Sequence, residues 1–347
     1  MASHFDATLS RPLTARSGAS GMHDLSMAAD VSVIIPAWNA AAYIEAAIRS
    51  ALSQQGVSLE IIVVDDHSSD DTAELASAIG DARIQVHRLD RNLGPSGARN
   101  HAIRHATGRW LAILDADDQY LPGRLQGLTK LGDQMQCAVV ADNLLFDRGS
   151  ASAHLPMFPN RGPTPAHFPI TGPDFIRGNR LMHSRYNYGF LKPLFNREFV
   201  VQHGIGYDEG IVVGEDYLFL LENLLCGGTC LFSETPGYLY RIHEVSVSSQ
   251  KLSRERIRLM LEADERLLSR YVLDGELALA QAERHRSLLD ADAYVAMADG
   301  LKSRQFGTFL GHAARRPAAL RHFRQPLRDR IVRLAALLRQ DRAVTPD

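Results

Sequence analysis

Short apolar runs alternate along this chain with stretches in which apolar positions recur every three or four residues. Residues 31–35 ("VSVII") form a β-rich run that ends at Pro36, and residues 41–54 carry helical periodicity. Residues 59–64 ("LEIIVV") are a second strand that closes on Asp65 and Asp66. Residues 70–79 read as a helix opened by the capping sequence "SSDD". A third strand over 83–88, a helix over 95–106 after the turn "NLGPSG", and a fourth strand over 109–114 complete the pattern. Near-continuous apolar strands alternating with helices predict an α/β fold with a mostly parallel central sheet flanked by helices. Ligands in such sheets bind at the carboxyl ends of the strands. Both acid clusters, Asp65-Asp66 and Asp115-Asp117-Asp118, fall at such ends.

Beyond Pro122 the pattern loosens. Residues 124–135 predict a helix and 137–141 a strand. Residues 150–173 are rich in Pro, Gly and Ser, and a loop of that length is expected to be functional or mobile. Residues 186–196 read as a strand region and 215–225 as a helix, with short strands around Leu231 and over 238–242. From Ser253 the chain reads as mainly helical, and no internal repeat is visible. The first thirty residues, rich in Ser, Ala and Gly, carry no apolar stretch of the signal-peptide kind and read as a flexible arm. The expected organisation is an arm over 1–30, an α/β unit over 31–250 divided near residue 120, and a helical extension over 251–347.

With 45% hydrophobic and 22% charged residues in 347, the composition is that of an ordinary globular protein. No run reaches the roughly 18 apolar residues of a membrane-spanning helix. Cys137, Cys226 and Cys230 are odd in number and irregular in spacing, so they predict reduced, packed thiols and a cytoplasmic setting rather than a disulfide framework or a zinc site. The net charge of -2 offers no support for nucleic-acid binding, but the charge is uneven. Between Leu301 and Asp347 eleven basic residues face three acidic ones. Leu327, Ile331, Leu334, Leu337 and Leu338 recur there at helical spacing, so the tail is basic and amphipathic.

In "WLAILDADDQYLP" a buried-looking strand stops at three carboxylates, Asp115, Asp117 and Asp118. Like charges this close disfavour one another's ionisation, so a positive partner is expected. A hard cation held by the Asp115-Ala116-Asp117 triplet would supply it.

The stretches "VSVIIPAWNAAAYIEAAIRSAL", "IIVVDDHSSDDT", "NLGPSGARNHAI", "GRWLAILDADDQYLPGRL" and "GEDYLFLL" occur in the order seen in family 2 glycosyltransferases of the GT-A fold, which the chain resembles over about residues 31–249. "ADNLLF", "LKPLF" and "VVGEDYLF" further resemble the bacterial exopolysaccharide branch, such as the glucosyltransferases of succinoglycan assembly. The resemblance implies an inverting transferase using Mn²⁺ or Mg²⁺ and a UDP-sugar, with UDP-glucose the first choice, and a lipid-linked saccharide as acceptor.

It also implies residue roles. Asp117 is the direct metal ligand, and Asp115 contacts the ribose or metal-bound water. Asp118 either extends the cluster or caps the following helix. Asp66 or Asp65 accepts from the base N3–H, while the other member of the pair is free to cap the turn with Ser68 and Ser69. Pro36, Ala37 and Asn39 meet the base through backbone groups. Arg99 either holds the base end of the nucleotide or forms an ordering ion pair to Asp66 or Asp115. Asp216 is the general base. Glu215 joins it at the site or merely favours the helix N-terminus. Lys192 contacts diphosphate or acceptor, Arg241 pairs with phosphate, and His243 either approaches the metal or is packed. Trp38 and Trp110 are read as core or pocket wall.

The basic tail has three readings: a solvated helical face, an oligomer contact, or a peripheral contact with the anionic inner leaflet. Three rival functions fit the motifs less well. A haloacid-type phosphatase would place its D-x-D near the first strand. A receiver domain is far shorter. A non-catalytic scaffold would be expected to have lost some of the acids that are all present here.

Overall fold

In the computed structural model of this chain the residues described are 29–149, 154–159, 161–162, 166–183, 187–242 and 252–324. The expected flexible arm, His243 and the amphipathic part of the basic tail lie outside them.

The first half is a run of parallel strands and helices: β1 (Val31–Ala37), α1 (Ile44–Leu52), β2 (Leu59–Asp65), α2 (Thr72–Ala78), β3 (Ile84–Arg88), α3 (Gly94–His105) and β4 (Trp110–Ile113). The second half follows with β5 (Gln119–Tyr120), α4 (Arg124–Met135), β6 (Val139–Asp147), β7 (Leu155–Pro156), β8 (His167–Ile170), α5 (Gly172–Gly178), β9 (Leu194–Asn196), α6 (Arg197–Gln202), α7 (Glu215–Leu225) and β10 (Cys230–Arg241). All strands belong to one sheet of order β3-β2-β1-β4-β9-β6-β10-β5, with β7 against β6 and β8 against β10. The long registers, β1 with β2 and β4, β2 with β3, and β6 with β10, are parallel. The short β9 pairs antiparallel with both β4 and β6 and joins the two halves.

The period-two alternation of the strands sorts their side chains into two cores. Val33 and Ile35 of β1 and Ile61 and Val63 of β2 pack with α1 on one face. Ile34, Ile62 and Val64 face Ala98 and Ala102 of α3 on the other. Burial on both faces is why these strands read as continuous apolar runs. On α1 the buried positions Ile44, Ala47, Ile48 and Ala51 form a single stripe.

Four expectations need correction. The helix expected over 41–54 begins at Ile44, because Tyr43 N–H and Ile44 N–H both bond to Ala40 O and form a turn first. The stretch 150–173 is not one loop, since β7, β8 and the start of α5 lie within it. In the region 186–196 only Leu194–Asn196 is a strand, and Tyr188–Phe190 is a 3₁₀ turn. The two short strands expected near residues 231 and 238–242 are one strand, β10, whose register shifts beside Pro236. Proline has no N–H to give the ladder, so the strand bulges there and resumes.

The helical extension consists of α8 (Arg254–Leu268), α9 (Gly275–Lys302) and α10 (Phe306–Arg315). It is tied to the catalytic layers by a buried arginine. Arg284 pairs with Asp264 at 2.9 Å, donates to Asn179 O at 2.5 Å, and lies 4.0 Å above the Tyr217 ring. No helix among the described residues is long and apolar enough to cross a membrane. All three cysteines are free thiols.

Candidate active site

Three parallel strands deliver the site to one edge of the sheet. Ala37 ends β1 and lies in register with Asp65, which ends β2. Asp115 follows two residues after the last residue of β4. Across from them Glu215 and Asp216 open α7. The preceding Gly214 sits at φ +90°, a conformation that a side chain disfavours, and so turns the chain into the helix.

A ring of charges joins these elements. Lys192 Nζ lies 2.7 Å from Asp115 Oδ2 and 2.6 Å from Asp216 Oδ2. Arg99 Nη2 lies 2.9 Å from Asp115 Oδ1, and its Nη1 lies 3.1 Å from Asp216 Oδ1 and 3.3 Å from Glu215 Oε1. Both cations are buried. Burial alone would raise the Asp115 carboxyl, but Lys192 and then Arg99 hold it well below the usual carboxylate range. Burial would lower the Lys192 ammonium, and Asp115 and Asp216 instead hold it well above its ordinary value. Glu215 moves the other way, pushed up by burial and by neighbouring Asp216. Part of the positive compensation expected for the strand-end acids therefore comes from the protein itself.

The remaining acids of the turn are held differently. Asp118 is buried, accepting from Tyr238 O–H at 2.7 Å and from Arg241 N–H at 2.8 Å. It therefore anchors the turn to β10 and is not a cap of the following helix. The Tyr238 hydroxyl oxygen, Oη, accepts from Asp115 N–H at 3.2 Å, so one phenol fixes both ends of the "DADD" turn. Burial and then repulsion from Asp115 and Asp117 push the Asp118 carboxyl well above its usual range. Asp117 is half-buried on the same turn. Asp117 and Asp115 offer hard carboxylate oxygens on this turn, donor chemistry that fits a Mg²⁺ or Mn²⁺ ion.

At the end of β2 the paired acids separate in role. Asp65 is fully buried, accepts from Ser68 N–H at 3.3 Å and faces Arg88 at 3.4 Å. It caps the turn. Asp66 accepts from Leu93 N–H at 2.6 Å, and burial raises its carboxyl above the ordinary value. Asp66 N–H bonds to Ala37 O, while Asn39, at φ +49°, accepts from Ser69 N–H at 2.8 Å. Pro36, Ala37, Asn39 and Asp66 thus come together, and Arg99 is placed with the acids of the other cluster rather than with them. Of its two readings, the ordering ion pair, to Asp115, is the one the geometry fits. Arg241 is not in the ring; its side chain lies 3.7 Å from Asp147. Trp110 is core, but Trp38 is 61% exposed beside the end of β1, so it is not a core residue.

Sequence reasoning missed the residues that support the ring. Arg124 and Asp142 form a buried pair at 2.9 and 2.8 Å, and Arg124 Nη2 also donates to Lys192 O at 2.5 Å. This fixes the backbone that carries the lysine. A Cβ on Gly237 would fall 2.2 Å from Asp142 Oδ2, so the bulge of β10 needs glycine for the pair to fit. Tyr207 lies 5.2 Å from Arg99 and stacks on Phe219. The only sequence signal for any of these was the lone acid in the apolar run "VVADNLLF".

Comparison with known proteins agrees with this architecture. Residues 32–187 match the family model described as glycosyl transferase family 2. The succinoglycan biosynthesis protein ExoO of Rhizobium meliloti is 41% identical over 88% of this chain and 87% of that protein. WfaP of Escherichia coli, named a UDP-Glc:alpha-D-GlcNAc-diphosphoundecaprenol beta-1,3-glucosyltransferase, is 42% identical over 27% of this chain and 38% of that protein. Among solved structures, S. aureus TarS 1–349, crystallised with UDP-GlcNAc, superposes with a TM-score of 0.60 at 19% identity. The match covers 84% of this chain and 81% of that fragment. The fold is GT-A-like, as the motifs led one to expect.

Proposed function

The chain belongs to the family 2 glycosyltransferases, and we propose that it moves glucose, with inversion, from UDP-glucose to a lipid-linked saccharide during assembly of a bacterial exopolysaccharide. The observation that carries this reading is the Asp115–Lys192–Asp216–Arg99 ring at the carboxyl edge of the sheet, beside the Asp66 turn. The likeness to ExoO supports the exopolysaccharide setting, and that to WfaP supports both glucose and a diphosphoundecaprenol-linked acceptor.

In this reading Asp66 accepts from the uracil N3–H, and the end of β1 lines the base. Asp117 and Asp115 would hold a divalent cation, which supplies charge neutralisation for the departing diphosphate. Lys192 and Arg99 are the fixed cations of the site, available to the diphosphate through short side-chain shifts. Such a shift would free Asp216 from its two ion pairs. The acceptor hydroxyl then attacks the anomeric carbon, the bond from that carbon to phosphate oxygen breaks, and the hydroxyl proton passes to the Asp216 carboxylate. UDP leaves with the electron pair, and single displacement inverts the anomeric centre.

Thermal denaturation with a nucleotide panel tests the donor site. A ligand that binds only the folded state raises the midpoint by mass action. The midpoint should rise with UDP plus Mn²⁺ and fall back when EDTA is added. A rise with a different nucleotide would change the donor, and no rise with any of them would remove the reading.

A further inference from the structure

At the outer edge of the sheet, against the same helix that carries Arg99, three histidines meet. His87 lies on β3, the terminal strand, on the face that looks toward α3. His101 and His105 are four residues apart on α3, so they share one face of the helix. Among the described residues this is the one group of three metal-ligating side chains whose ligand atoms all lie within 4.8 Å of one another. His101 Nε2 and His87 Nδ1 face each other at 3.2 Å. The three ring centroids are 4.5 to 5.1 Å apart.

We propose that His87, His101 and His105 form a binding site for a borderline transition-metal ion of the Zn²⁺ class, distinct from the hard-cation site at Asp115 and Asp117. Three imidazoles without a carboxylate suit Zn²⁺, Co²⁺, Ni²⁺ or Cu²⁺ and offer little to Mg²⁺, Mn²⁺ or Ca²⁺. Three protein nitrogens leave one position of a tetrahedral ion open, and His105 is exposed, so that position reaches solvent.

Local hydrogen bonding prepares one of the ligands. His105 Nδ1 lies 2.9 Å from His101 O, and a carbonyl only accepts, so Nδ1 carries the proton. In the neutral ring this leaves the lone pair on Nε2, and the carbonyl fixes the ring in the way that supporting contacts orient metal-bound histidines. A metal-free pair facing at 3.2 Å shares one proton. The ion would tie the C-terminal turn of α3 to the free edge strand.

The test uses the full-length, tag-free protein after stripping with a chelator. Co²⁺ is added in the presence of excess Mg²⁺ and UDP, with calorimetry and visible absorption as readouts. One equivalent should bind with the spectrum of a four-coordinate nitrogen site, excess Mg²⁺ should not displace it, and Zn²⁺ should. The double variant H101A/H105A, checked for folding by circular dichroism, should lose affinity by at least about 100-fold, more than loss of a supporting contact alone costs. Zn²⁺ should raise the melting midpoint of the wild type and not that of the variant. Failure of the wild type to bind one equivalent would overturn the proposal. So would binding that persists in H101A/H105A, which would place the ion on other histidines.

Discussion

The Lys192 ammonium sits 2.6 Å from the Asp216 carboxylate, inside a site where Asp216 is expected to take a proton. While that contact stands, the Oδ2 atom that would receive the acceptor proton is occupied by the ammonium. In the proposed mechanism this pair would link donor binding to base activation, the arriving diphosphate competing for Lys192 and Arg99 and so releasing Asp216.

Replacing the lysine tests that link. K192M should lower the transfer rate by about 10²–10³-fold, the size of effect seen on losing one preorganised charge-stabilising donor. It should also destabilise the fold by about 3 kcal/mol, because Asp115 and Asp216 are left partly buried beside Arg99 alone. Steady-state kinetics and denaturant unfolding measure the two effects separately. Unchanged kinetics would assign Lys192 a purely structural role.

The Arg124–Asp142 pair supports the same lysine from behind. Truncating one partner, as in D142A, strands a buried charge and should cost about 3–5 kcal/mol. G237A should be destabilising for the same reason, since its methyl group would occupy the space of the Asp142 carboxylate. Denaturant titration of both variants against wild type gives the comparison. Stability within experimental error of wild type for D142A would contradict the burial argument.

Glu60 yields a pH prediction. It accepts from Ser32 Oγ at 2.6 Å and from Thr107 N–H at 2.7 Å. Burial would raise its carboxyl, but the bonds to Ser32, Thr107 and Gly108 together bring it below the ordinary value. A depressed carboxylate contributes stability in full above its unfolded value, about 4.3, and loses it as pH falls through the folded value. E60Q should therefore be less stable than wild type by about 2 kcal/mol at pH 7. The gap should close as the pH drops below about 4.3. A gap of constant size across that window would show that the bonds do not depend on charge.

The reach of sequence reading follows from what is local. The alternation in "VSVII" and "LEIIVV" encodes strands covered on both faces, and the strand-end acids follow directly from it, so the first half of the sheet and the placement of Asp65, Asp66 and Asp115 were legible. β10 was not, because Pro236 and Gly237 read as a break where the strand only bulges. The 3₁₀ turn at Tyr188–Phe190 hid for a related reason, since aromatic residues imitate strand composition. The charge ring was half legible. Each member could be named from its motif, but Arg99 and Glu215 stand 116 positions apart, and no local pattern says which cation meets which acid. Tyr238, which bonds Asp118 across 120 positions, was invisible for the same reason.

Asp216 is proposed as the base of a metal-dependent transfer from UDP-glucose. The most direct measurement is the rate of UDP release from UDP-glucose, with a diphosphoundecaprenol-linked saccharide as acceptor, for wild type and D216N at equal, calorimetrically verified UDP affinity. The account predicts Mn²⁺- or Mg²⁺-dependent turnover in the wild type, abolished by EDTA, and a loss of about 10²–10⁴-fold in D216N with donor binding retained. Transfer by D216N at the wild-type rate would contradict it.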